Sequence, residues 1–185
     1  MVVLNSLRDP IRLEEVRRIQ PIDPDRKQVL KRLTTLAAEL CDAPVALVTI
    51  VEDDRQVFAA HYGLPADLAC AGETPIEYSL CQYAVASGRP LIVESMADEA
   101  MLRGHPAADL LGVGAYAGLP LVTGSGQAIG TLCVVDFVPR PWPDDMLARL
   151  ALLADLVSDQ FDLQNHERRE AFRRTWRAIP EQPRW

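Results

Sequence analysis

The sequence predicts an α+β domain, an antiparallel sheet with its helices gathered on one side. Three observations predict it. Short β-branched runs recur through the middle of the chain, joined by tight polar or glycine turns at hairpin spacing. An amphipathic helix precedes them and a longer one follows. Apolar residues make up 49% and charged residues 24% of the 185 residues, an ordinary globular composition that excludes wholesale disorder. A chain of this length buries roughly 70% of the surface its unfolded form exposes and needs no covalent staples.

The elements follow in order. Leu7, Ile11, Val16 and Ile19 recur at rough helical spacing in a polar stretch, so residues 8–19 read as a short helix. Gln20-Pro21-Ile22-Asp23-Pro24 breaks it. From Asp25 the apolar positions Val29, Leu33, Leu36, Ala37 and Leu40 face a core, with Arg26, Lys27, Lys31 and Arg32 facing water, until Asp42-Ala43-Pro44 ends the helix. Val45 to Val51 is β-branched and too short for a helix, so it reads as a buried strand. Glu52-Asp53-Asp54-Arg55 turns the chain into a second strand, Gln56 to Tyr62, which predicts an antiparallel hairpin. Residues 63–75 read as a loop punctuated by Pro65 and Gly72.

Two helix starts then compete, Thr74-Pro75-Ile76-Glu77 and Ser79-Leu80-Cys81-Gln82, each with a capping-box pattern. Either way a short helix passes through Ala84 and Val85 and stops at Gly88. Pro90 opens a third strand, residues 91–94, and residues 95–112 read as a loop with one or two helical turns. Gly114 to Val122 is the fourth strand, Thr123-Gly124-Ser125-Gly126-Gln127 a glycine hairpin, and Ala128 to Phe137 the fifth. Pro139, Pro141 and Pro143 make a stiff connector. Asp144 then caps a long helix with Met146, Leu150, Leu153, Val157 and Phe161 on its apolar face. Unbroken from 144 to 176, that helix spans about 50 Å at 1.5 Å per residue. A small core cannot bury so long a helix, so part of it is expected to pair with another subunit.

Charge and cysteine usage bound the function. The formal charge of −7 is uneven: residues 166–185 hold six arginines against three glutamates, and the acidic excess lies ahead of them. An acidic body repels phosphate backbones, so nucleic-acid binding is not expected. Cys41, Cys70, Cys81 and Cys133 form no CxxC pair, and three of them sit in apolar stretches, as suits a reducing cytoplasm. Met-Val-Val-Leu-Asn meets charge at Arg8 and Asp9, which predicts no secretory segment. The longest apolar run, 43–51, is about half a membrane span, so a soluble cytoplasmic protein that does not engage a membrane is expected.

Several stretches together resemble the GAF domain, the small-molecule sensory module of bacterial signalling proteins. They are Leu33 to Val48, Asp54-Arg55-Gln56, Ser79 to Val85, Ala117-Gly118-Leu-Pro-Leu121 and Gly130 to Asp136, in that family's order and spacing. The resemblance covers roughly residues 10–165. It implies an antiparallel sheet of five to six strands with the N- and C-terminal helices packed on one face. On the other face it implies a ligand pocket under the helices and loops of residues 64–112, and it implies a dimer through the terminal helices. The chain then divides into an N-terminal helix and connector (1–22), a GAF-like sensory domain (23–165) and a charged helix end and tail (166–185).

The resemblance also suggests chemistries to weigh. Leu68-Ala69-Cys70 followed by Ser79-Leu80-Cys81 is similar to the first two cysteines of the free methionine-(R)-sulfoxide reductases, a free-standing group of this family. Their attacking cysteine lies in a loop that here, from Asp98 to Asp109, contains none. A thiol reductase using Cys70 and Cys81 is therefore the alternative, not the first reading. Bilin attachment near Cys81 is disfavoured because Gln82, not histidine, follows it, and the cyclic-nucleotide signature Asn-Lys…Phe…Asp-Glu does not occur. His61, His105 and His166 share no metal-like spacing, and His105 reads as a solvated loop residue. Glu52-Asp53-Asp54 reads as turn chemistry and not a cation site. Gly112-Val-Gly114-Ala-Tyr-Ala-Gly118 leads into a strand instead of a helix, so it lacks the geometry that cradles phosphate. No Ser-His-Asp order, paired catalytic carboxylates or Walker loop is present, and no metal site or cofactor is named.

What remains is a pocket. Its expected walls are Phe58 and Tyr62 on the second strand, Tyr78, Cys81 and Tyr83 around the short helix, Glu94, Asp98 and Tyr116. Apolar aromatic walls with a few polar groups describe a small-molecule site, although each aromatic serves equally well as core. The sequence thus reads as a regulatory, non-enzymatic sensor that binds a small ligand and passes its state through the flanking helices to a second subunit or a separate output protein. Phe172, Trp176 and Trp185 among the tail arginines fit either a docking helix or a solvated helix end.

Overall fold

The structure, a computed structural model, describes residues 3–109 and 111–177, with side chains described from residue 6 to 174. A 3₁₀ turn leads into α1 (Pro10–Ile19) and α2 (Pro24–Cys41). The hairpin β1 (Val45–Val51) and β2 (Arg55–Tyr62) follows, then α3 (Ala66–Ala71), β3 (Glu73–Pro75) and α4 (Cys81–Ser87). After β4 (Leu91–Val93) and the short helix α5 (Pro106–Asp109) come β5 (Ala115–Val122), β6 (Ala128–Asp136) and α6 (Asp144–Arg177). The six strands form one sheet in the order β3-β2-β1-β6-β5-β4. Every pairing is antiparallel.

β1 and β6 lie at the middle of the sheet, and all seven residues of β1 are buried. That is why β1 reads as an unbroken apolar run and not as an alternation. Alternation reappears as two separate cores. Ala46, Val48 and Ile50 of β1, with Leu132 and Val134 of β6, face α1, α2 and α6. Val45, Leu47 and Val51, with Cys133 and Val135, face the opposite way, toward the N-terminal turn, α4 and the segment 93–107. Gly130 makes the central pairing possible: a Cβ there would stand 1.8 Å from the Thr49 carbonyl oxygen.

The helical layer is stitched along its length. α2 and α6 run antiparallel, with Arg26 donating to Gln160 and pairing with Glu167 near one end and Arg140 reaching the Asp42 carbonyl near the other. Gln164, fully buried, donates to the Ile19 carbonyl at 2.7 Å and accepts from the Asp23 amide at 3.1 Å. Arg168 donates to the carbonyls of Arg18 and Gln20. Together they satisfy the carbonyls that α1 leaves unpaired at its C-terminus. Arg12 closes the other side, its buried guanidinium donating to Val51 O and Leu7 O and tying the N-terminal turn to the end of β1. The first and last helices thus pack together as expected, and beyond Asn165 residues 171–174 are exposed.

Two local expectations are corrected. Residues 63–75 are not a plain loop: they hold α3 and the edge strand β3. α3 follows Pro65, ends on Gly72 in the left-handed region at φ 71°, and is too short to show a period. Of the competing helix starts, the second is used. Thr74 pairs with Gln56 in the sheet and accepts from its side chain, so it is not available as a cap. Ser79 Oγ accepts from the Gln82 amide at 3.2 Å as α4 begins. The side chain of Trp176 and the whole of Trp185 lie outside the described residues.

Phe161 is fully buried where α6 meets the helix-side core. Phe161→Ala is expected to cost about 3–5 kcal/mol in urea denaturation with far-ultraviolet circular dichroism retained.

Candidate functional site

The face of the sheet away from α2 and α6 carries a small, partly open cavity and a polar floor. The cavity is ≈ 70 Å³ and lies over β1, β2 and β6. Leu47, Phe58, Leu64, Leu68 and Val135 make its apolar wall, and Gln56 and Thr74 add polar groups. Leu64 and Leu68, four residues apart, come together because α3 covers the strand. The polar groups are held in a chain: Gln56 Nε2 donates to Thr74 Oγ1 at 2.8 Å, and Ser79 Oγ donates to Gln56 Oε1 at 2.6 Å. Gln82 ties the 3₁₀ turn 76–78 into that chain by donating to the Ile76 and Ser79 carbonyls.

Beside the cavity, the inner floor is packed. Thr49 and Thr131 are cross-strand partners on β1 and β6, with their hydroxyls 3.1 Å apart. Cys81 Sγ lies 3.9 Å from Cys133 Sγ and accepts from the Tyr116 hydroxyl at 3.3 Å. Tyr116 reaches that sulfur because its ring lies along its own strand across Gly118, where a Cβ would stand 2.1 Å from the phenol oxygen. The hydrogen bond from Cys133 lowers the Cys81 pKa against the opposing effect of burial, helped by Thr131, Thr49 and Tyr116. Cys133 moves the other way, well above the ordinary thiol value, because it donates to Cys81 and is buried. Tyr116 is raised as well, first by burial and then by the two sulfurs. The thiol pair therefore loses one proton far more readily than two.

The expected pocket residues separate into groups. Phe58 lines the cavity. Cys81 and Tyr116 sit in the packed floor, both nearly inaccessible. Tyr83 is half-buried, with its ring edge-on to His105 at 5.8 Å between centroids. Tyr62 is 41% exposed at the end of β2. Tyr78 is half-buried at the end of the 3₁₀ turn, and Asp98 is exposed in the loop after β4. Glu94 faces the proline connector, its Oε1 accepting from the Trp142 amide at 3.4 Å. The cavity residues that sequence reasoning missed include Leu47, Gln56, Leu64, Leu68, Thr74 and Val135. Pro65 ahead of α3 and Gly72 behind it were the only local signals for that helix, and only Leu68 of the two leucines lies within it.

His105 is a correction: it is buried, not solvated. Its Nδ1 accepts from the Ala107 amide at 3.1 Å at the start of α5, so the remaining ring proton belongs on Nε2. That atom is buried without a hydrogen-bond partner. The thiol pairing also differs from the one the resemblance to the reductases suggested. The sulfur brought to Cys81 is Cys133, while Cys70 is exposed on α3.

Two open concavities flank these features. A groove of ≈ 370 Å³ runs past Met96, Leu102, Arg103 and Asp109 to Val113, and Val113 also lines the smaller cavity. On the helical side, Arg18, Arg168, Arg169, Phe172 and Arg173 border a groove of ≈ 420 Å³. Among the described residues no group of three or more His, Cys, Asp or Glu is placed to hold a metal ion. Nor is any described helix long and apolar enough to cross a membrane.

A sequence model of the GAF domain matches residues 23–162. The chain belongs to the GAF domain family. Its residues are 32% identical over 137 positions to a cyclic di-GMP phosphodiesterase of Pseudomonas aeruginosa. The aligned part is 70% of this chain, and the chain spans 22% of that relative's length. Solved structures agree on the fold. The GAF domain of PixJ from Thermosynechococcus elongatus, in its blue-light-absorbing form, superposes with a TM-score of 0.62 at 18% identity, covering 93% of this chain and 98% of that one. The GAF domain of an Acinetobacter phosphoenolpyruvate-protein phosphotransferase gives 0.61 at 14% identity, covering 83% and 94%. A type II free methionine-R-sulfoxide reductase from Thermoplasma acidophilum gives 0.57 at 15% identity, covering 74% and 94%.

Burial lowers the His105 pKa, opposed by Asp109. Below the ordinary imidazole value of about 6.5 the unfolded chain therefore binds the proton more readily than the folded one. The stability due to the neutral ring is complete above that pH and is lost as pH falls toward the lowered folded value. The wild-type melting temperature is expected to fall more steeply between pH 7 and pH 5 than that of His105→Asn, which keeps an acceptor for Ala107 and does not titrate. Parallel curves would remove His105 from the acid response.

Proposed function

We propose that this GAF domain is a sensor that takes a small, largely apolar ligand in the cavity over β1, β2 and β6 and reports its occupancy through α2 and α6. The observation that carries this reading is the cavity itself: apolar side chains from three strands, α3 and the segment before β5 converge there with a hydrogen-bonded Gln56–Thr74 pair at the edge. At ≈ 70 Å³ it holds a few water-sized molecules, well short of the roughly 300–1,000 Å³ of ordinary ligand sites. A ligand therefore requires an outward movement of α3 or of the Val113 wall, and displacing Val113 joins the cavity to the ≈ 370 Å³ groove beside it. A ligand that binds only the opened arrangement shifts the population toward it, and that shift is the signal.

The receiving surface is apolar. Val29, Leu33, Leu36 and Leu40 repeat along α2, but Val29 and Leu36, expected to face the core, are exposed, and Leu30, Ala38 and Cys41 are buried beside Ala37 instead. Leu152, Leu156 and Leu163 are exposed along the neighbouring face of α6, with Leu152 at 66%. Spacings of three, four and seven are those of a helix-pairing seam. A second copy covering these faces gives a four-helix interface, and it explains apolar residues that the protein's own core leaves in water. A thiol reductase using Cys70 and Cys81 has weaker support, because Cys81 is 3% exposed and its sulfur neighbour is Cys133.

Native mass spectrometry of the protein purified from its own host tests the ligand. A bound small-molecule mass is expected on the wild type and not on Leu68→Trp, which fills the cavity from the half-buried face of α3. Equal adducts on both proteins would move the site elsewhere, and no adduct would count against a resident ligand. The pairing surface is tested separately. Leu152→Glu with Leu156→Glu is expected to convert a dimer to a monomer by light scattering, with the circular dichroism unchanged because both side chains lie outside the core. A wild type that is already monomeric at tens of micromolar would sink the seam.

A further inference from the structure

The cavity-based reading leaves unexplained a buried pair of thiols. Cys81 begins α4 and Cys133 lies on β6, 52 positions later, yet their sulfurs are 3.9 Å apart. Both are nearly or fully inaccessible, within the same apolar cluster as Val85, Val93 and Val135. A small apolar side chain at either position fills such a site equally well, so packing gives no reason for two facing sulfurs. The surroundings are also unlike plain core. Tyr116 OH donates to Cys81 Sγ, and the paired Thr49 and Thr131 hydroxyls lie beside them. These donors stabilise negative charge on sulfur, the form in which a thiol is nucleophilic.

We propose that Cys81 and Cys133 are a modification site at which a small hydroperoxide oxidises the two thiols to an intramolecular disulfide. The steps balance. Cys81 loses its proton and attacks the distal oxygen of the hydroperoxide; the O–O bond breaks, the alkoxide leaves and takes up a proton, and Cys81 carries a sulfenic acid. Cys133 then attacks that sulfur, the S–S bond forms, and the sulfenic oxygen leaves with the thiol proton as water. Two thiols have lost two electrons, and the hydroperoxide, reduced to an alcohol or water, has gained them.

Geometry supports both access and closure. The sulfurs are in van der Waals contact and need to approach by about 2 Å to reach the S–S bond length of about 2.05 Å. Cys81 stands in the first turn of α4, where a small shift of the helix or a change of rotamer supplies that movement. The proposed route in passes the partly open cavity, which neither sulfur lines but whose wall adjoins Cys133. Leu47, which lines it, is the cross-strand partner of Cys133, and Val135, which also lines it, follows two residues along the same face of β6. Hydrogen peroxide, two heavy atoms, fits ≈ 70 Å³, whereas a glutathione-sized oxidant does not. The resulting bond fixes the first turn of α4 to the central sheet beside the cavity.

The experiment uses the full chain, reduced and then exposed to a few equivalents of hydrogen peroxide, denatured, alkylated, digested and mapped by mass. The intact protein is expected to lose about 2 Da. Alkylatable cysteines are expected to fall from four to two, with a single linked peptide joining Cys81 to Cys133 and dithiothreitol restoring all four. Cys70→Ser, at an exposed position, is expected to leave that linked peptide unchanged. Recovery of both Cys81 and Cys133 alkylated, with oxidation confined to Cys70, would overturn the proposal. A cross-link between chains through either buried cysteine would overturn it as well.

Discussion

The arrangement depends on the close pairing of β1 with β6 at the centre of the sheet. Two strands buried on both faces divide the interior into two cores, and neither core can be repacked without moving a strand that the other core also touches. Gly130 permits the approach, since its neighbour across the ladder is the Thr49 carbonyl. Alternation along these strands then does the rest. Leu132 and Val134 point to the helices and Cys133 and Val135 to the cavity side, so one strand carries side chains of both cores. Close-packed interiors transmit displacement and do not absorb it, which makes this ladder the physical connection between a pocket on one face and helices on the other.

The same alternation explains what the sequence could and could not show. Long periodic elements were legible: the stripes on α2 and α6, the β-branched runs of β1 and β6, the glycine turn between β5 and β6 and the stop at Gly88 all gave their element and its type. α3 and β3 were not, because six and three residues carry no period, and the proline and glycine around α3 read equally well as loop punctuation. The capping signal at Thr74 was real as a pattern but was overridden by tertiary pairing with Gln56. His105 was misjudged for a related reason. A histidine before Pro106 looks like loop, yet its ring Nδ1 accepts from the Ala107 amide and its ring meets Tyr83 edge-on.

The site was less legible than the fold. Aromatic residues were taken as pocket walls because they are the usual lining of small-molecule sites, and only Phe58 lines this cavity. Tyr116 went instead to the floor, over Gly118, where its hydroxyl has a sulfur to bond; the glycine two residues along was the sequence-level hint, visible only once the strand direction was known. The Cys81–Cys133 contact was beyond reach for another reason. It depends on the register of β6 against β1 and on the depth at which α4 sits, and neither follows from local pattern. Leu47 and Val135 were read correctly as strand residues, but nothing in their own sequence distinguishes a cavity lining from a filled core.

The proposed ligand and the proposed disulfide would act on neighbouring parts of one face, the first on α3 or the Val113 wall and the second on α4. A ligand of ordinary size needs the layer over β1, β2 and β6 to move away from the sheet, because the cavity admits only a few water-sized molecules. A disulfide needs α4 to stay against β6 or move toward it. The hydrogen-bond chain from Thr74 through Gln56 and Ser79 to Gln82 links the edge of the cavity to the first turn of α4, so the two demands meet in one short stretch of backbone. Opening that stretch breaks buried polar contacts, each worth about 1 kcal/mol net, and a ligand must offset that cost with the apolar surface it buries. Under the proposed function, occupancy would loosen this stretch and the proposed disulfide would hold it in place, with the β1–β6 ladder as the contact to α2 and α6.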